Sequence, residues 1–249
     1  GSAIIQNRLL LLNPPEGMDT HTSRRVHPAP SLLQWLLTDR PISMADGAKH
    51  LDTVRKPFVP LATQKRLEDL SGAINTPITC AVVGGTVGIR EGIAMAIARS
   101  VSRPLIRVDL SRCKKYLQQP FDLIRDLRLD NAIPYLINVP DTDDEPQLRM
   151  QMMALGTALN TIPYAVLVGA NDRRAVAAML GDDRPNVTVS VGRSTMSERQ
   201  HAWTEALEER DWSTDCAEDI AERFYSIGGT TIERVLERAE AEAGHQEPK

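Results

Sequence analysis

Thr79-Cys-Ala-Val-Val-Gly-Gly-Thr-Val-Gly-Ile-Arg-Glu-Gly-Ile-Ala-Met-Ala-Ile-Ala-Arg99 is an apolar run, a glycine-rich turn and a helical pattern in succession. A buried strand, a tight turn and a helix are the local geometry of a phosphate-binding loop. Such a loop has the form G-x-x-x-x-G-K-[ST]: backbone amides wrap the phosphates, the lysine reaches the outer ones, and the hydroxyl holds magnesium. Counted from Gly84, Ile89 stands at the second glycine, Arg90 at the lysine and Glu91 at the Ser/Thr. The topology is present and the chemistry is damaged.

The chain of 249 residues has room for one large or two modest domains, and its 42% hydrophobic content is enough to build a core. A net charge of −4, with the 29 basic residues scattered, argues against a general nucleic-acid surface. Cys80, Cys113 and Cys216 are far apart and odd in number, which fits buried thiols in a reducing, cytoplasmic setting and no metal site. None of the five histidines has paired metal-ligand spacing. No apolar run approaches the ~18 residues of a membrane span. Gly1-Ser2 reads as a cloning remnant, and the tail lacks a terminal cap, which suggests a piece of a longer chain.

Working outward, residues 1–30 read as a poorly ordered arm with an apolar patch at Leu9 to Leu12. Ser31 is a candidate cap for a short helix with Leu32, Leu33, Leu36 and Leu37 on one face. Ser43 is a candidate cap for another, with Met44, Ala48 and Leu51 at helical spacing. Thr63 to Leu70 gives a connecting helix. From Ile78 onward strands and helices alternate: strands are expected at 78–83, 105–109, 132–139, 162–169 and 187–191. Helices carry Ile89, Ile93, Ile97 and Val101, then Ile124 and Leu127, then Leu148, Met152, Leu155 and Leu159, then the stretch after Asp172, then Trp203, Ala206 and Leu207. Wholly apolar strands separated by helices imply a parallel sheet covered on both faces. After Trp212 only helices follow, 217–224 and 232–243, around a break at Gly228-Gly229.

This order, with specific residues, resembles the AAA+ ATPases over roughly Leu61 to Ala243. The turn Gly84 to Gly88 matches the nucleotide loop, and Leu105 to Ser111 looks like the next strand of that family. Ala165 to Asn171 looks like the strand ending in the polar sensor residue, here Asn171. Ser197 to Trp203 resembles the helix leading to the lid, and Ala217 to Ala243 resembles the lid. The helical prelude and Leu127 to Ile137 look closest to the degenerate first AAA+ module of bacterial proteins that carry an active second module downstream. The resemblance implies an α/β fold with a five-stranded parallel P-loop sheet, helices on both faces and a small helical lid domain. It divides the chain into an arm and prelude at 1–60, a core at 61–211 and a lid at 212–249.

The family's third strand ends in Asp-Glu, for magnesium and water activation; here Asn138 and Val139 occupy those places, and Pro140 argues against a slip that would let Asp141 serve. The vestigial loop residues are therefore Gly84, Gly85, Thr86, Gly88, Arg90 and Glu91, and no catalytic or metal residue is assigned. The bland readings stand beside these. The glycines also suit any strand-to-helix turn, Asn171 with Asp172 also suits a helix cap, and Asp141 to Glu145 also suits a solvated loop. Arg90 is forked and bulkier than lysine. Glu91 suits the helix dipole but would oppose a phosphate: two unit charges about 4 Å apart repel by roughly 4 kcal/mol at an effective dielectric of about 20. Arg173, Arg174 and Arg184 fall where the family's arginines face a neighbouring subunit, or are simply solvent-exposed.

Three functions follow as expectations. The first is a non-catalytic module that assembles with AAA+ modules of the same chain or ring and needs no cofactor. The second is a weak or unusual ATPase using ATP or ADP with magnesium. The third is an adaptor that docks a protein client. No membrane or nucleic-acid partner is expected.

Overall fold

The computed structural model describes residues 9–12, 26–38, 42–51, 57–70, 72–142, 144–171, 176, 184–192, 194–224 and 229–244. Asp143, the helix expected after Asp172, Arg173, Arg174 and Gly228 lie outside them or largely so.

In the N-terminal region β1 (Leu10–Leu12) pairs antiparallel with β2 (Val26–Pro28), so the stretch read as an unstructured arm contains a small two-stranded sheet. α1 (Pro30–Leu37) starts with proline in its first turn, a position where the missing amide costs nothing. Ser31 does not cap it: the N-cap is Ala29, and Ser31 is buried. A further departure is β3 (Ala48–Leu51), a strand where Met44, Ala48 and Leu51 suggested a helix. Asp46-Gly47 breaks any helix there. Gly47 takes a φ of 84°, and its carbonyl accepts from the Asp109 amide at 2.8 Å, which lays the following residues along a neighbouring strand.

α2 (Leu61–Leu70) and a short 3-10 turn (Ala73–Asn75) lead into the alternating part. That part runs β4 (Thr79–Val83), α3 (Val87–Ser100), β5 (Leu105–Asp109), α4 (Lys114–Gln118), α5 (Pro120–Leu129) and β6 (Ile133–Ile137), then α6 (Pro146–Leu159), β7 (Val166–Ala170) and β8 (Asn186–Ser190). The sheet order is β3-β5-β6-β7-β4-β8. It has six strands rather than five: β4 to β8 are mutually parallel as expected, and β3 is the added antiparallel edge on β5. β6 and β7 are buried along their whole length, as strands covered on both faces must be.

The winding places the site. From β4 the chain crosses to β5, returns through β6 to β7, and then passes β4 to reach β8. The direction of winding thus reverses between the neighbours β4 and β7, and in open parallel sheets such a switch point, at the C-terminal ends of the strands, is where ligands bind. The glycine turn lies there. α3 packs on α9 (Gly229–Gly244), whereas α4, α5 and α6 pack on one another with α1 outside α5.

α7 (Met196–Glu208) begins with a reciprocal capping box between Thr195 and Glu198. With α8 (Ala217–Arg223) and α9 it forms a second hydrophobic cluster, centred on Trp203, Leu207, Ala221 and Leu236 and separate from the sheet's core. Phe224 meets Trp203 with ring centroids 6.2 Å apart. Among the described residues no helix is long and apolar enough to cross a membrane. Of the three thiols expected to be buried, Cys80 and Cys113 are, but Cys216 is exposed.

Candidate functional site at the glycine turn

The turn is built by three residues with separate jobs. Gly84 and Gly85 take φ values of 87° and 62°, a region that penalises any side chain. A Cβ on Gly85 would also come within 2.8 Å of Val191 Cγ1, so Val191, just after β8, lies directly against the turn. Thr86 is extended and caps α3, its hydroxyl accepting from the Ile89 amide at 3.3 Å. Gly88 follows, half-buried in the first turn of α3.

Arg90 folds back onto this turn. Its Nη1 donates to the carbonyl oxygens of both Gly84 and Gly85, each at 3.0 Å, and the side chain is only 7% exposed. The cation that stands in the lysine position is thus committed to the loop's own backbone. Its Nε is buried and has no hydrogen-bond partner in the described structure.

Glu91 does not stand in the turn, as its sequence position suggested. It is 3% exposed and accepts from Arg107 Nη1 on β5 at 2.7 Å, while Arg107 keeps about a quarter of its side chain in solvent. Tyr135 of β6 pairs with Arg107 in the sheet, and its hydroxyl lies near Arg90, Glu91 and Arg107. Burial pushes the Tyr135 phenol above its ordinary range, beyond what the neighbouring arginines recover, so it stays protonated. Gly169 on β7 makes room for it, since a side chain there would overlap the tyrosine ring.

Asn138 follows β6 with a φ of 52°, a left-handed conformation that asparagine tolerates better than most residues. Its Nδ2 donates to Asp109 Oδ1 at 3.0 Å, and the Ser111 hydroxyl and amide donate to the same oxygen at 2.6 and 3.1 Å. Burial raises the Asp109 carboxyl, but these three bonds together with Arg107 outweigh it and hold the group below the usual carboxylate range. Asn138 thus orients an aspartate. Val139 is half-buried beside Pro140, and Asn171 is exposed at the end of β7. Asp141, Asp144 and Glu145 are exposed around the start of α6. Among the described residues no group of three or more His, Cys, Asp or Glu side chains is placed to hold a metal ion.

Arg184 is buried rather than exposed to solvent. It is 4% exposed and donates to the carbonyls of Leu159, at 2.7 Å, and Tyr164, so it caps the end of α6 from within. Burial lowers its pKa to about 10.

The structure therefore brings Gly84, Gly85, Thr86, Arg90 and Glu91 to one end of the sheet, with Asn138 and Asn171 along the same edge. It adds Arg107, Asp109, Tyr135 and Val191. Arg107 carried a signal in the sequence, a cation inside an otherwise apolar strand; Tyr135 and Val191 carried none. No protein-family model matches the chain, and no curated protein matches it.

Proposed function

We propose that the chain is a degenerate AAA+ module, a nucleotide-binding scaffold that contributes geometry to an assembly and hydrolyses no ATP of its own. The observation that carries this reading is the double hydrogen bond from Arg90 to the Gly84 and Gly85 carbonyls. A phosphate-binding loop offers its amides and a free cation to an anion; this loop's cation is bound to its own carbonyl groups. The other positions point the same way. Glu91 is buried against Arg107, Asn138 holds Asp109, and Val191 leans on Gly85.

On this reading α8 and α9 are the lid, its angle set by packing of α9 on α3 rather than by a bound nucleotide. The module requires neither ATP nor magnesium, its partners are active AAA+ modules of the same chain or ring, and its setting is the bacterial cytoplasm. Three free thiols accord with a reducing compartment. Calorimetric titration with ATP and with ADP, each with magnesium, tests the reading. It expects no saturable heat at micromolar nucleotide, and a saturating isotherm in that range would refute it.

A further inference from the structure

We draw no further inference here: the strongest candidate, the cavity of about 780 Å³ between α2, the last turn of α3, α7 and α9, carries nothing because nothing in the structure shows what occupies it.

Discussion

The Glu91–Arg107 pair gives a quantitative test of how the region behind the glycine turn is held, because its two ends differ in burial. Glu91 is 3% exposed and Arg107 about a quarter exposed, joined at 2.7 Å. Breaking a fully buried pair by removing one partner costs ~3–5 kcal/mol, mostly for the charge left behind, whereas exposed pairs are worth ~0–1 kcal/mol. Arg107→Met strands the buried carboxylate, since Arg90 is already committed to Gly84 and Gly85, and its cost should be about 3 kcal/mol. Glu91→Gln leaves an amide that still accepts a hydrogen bond and an arginine that reaches water, so about 1 kcal/mol is expected. For a chain of this length each kcal/mol moves the melting temperature by ~2–4 °C. The two variants should therefore fall by about 6–12 °C and about 2–4 °C, and urea midpoints should keep the same order. Glu91→Leu combined with Arg107→Met removes both charges together and should recover most of the loss, to within about 1 kcal/mol of the parent. Equal losses in the two single variants, or a greater loss in Glu91→Gln, would refute this account of the pair.

Asp109 should titrate below its unfolded value of about 3.9. Its stabilising contribution is full above that pH and is lost as pH falls through the lower folded value. Asn138→Gly removes the amide donor while accommodating the left-handed backbone, so carboxyl-carbon NMR should show the Asp109 midpoint rising. Thiol labelling at mildly alkaline pH should modify Cys216 at once and the other two cysteines only in denaturant, because burial pushes the Cys80 and Cys113 thiols up to about 12 and about 11. Ending the chain at Trp212 should leave the sheet folded but expose the Trp203 face of α7 to a hydrophobic dye; loss of all cooperative unfolding would make α8 and α9 part of the core.

The parallel strands were legible because β4 to β7 are short apolar runs with glycine, proline or polar residues at their ends. The edge was not. β3 is a half-exposed strand with no apolar alternation, and Met44, Ala48 and Leu51 fall at helical spacing by accident while Asp46-Gly47 makes the turn. The leucines of α1 show the converse limit, since periodicity located a helix and its leucine face but not the burial of that face: in the described structure Leu33, Leu36 and Leu37 are exposed. At the site, the motif positions located the turn, but the direction of each side chain depended on partners distant in sequence. Glu91 turns to β5 because Arg107 waits there, and Asn138 is spent on Asp109.

The central claim is that the glycine turn is closed by its own arginine and does not take a nucleotide. Amide NMR of the full chain during titration with ATP and magnesium reads this at the groups concerned, the backbone N–H of Gly84, Gly85, Thr86, Val87 and Gly88. The account predicts no saturable shift of these resonances at micromolar nucleotide; a shared, saturating shift of this set would contradict it.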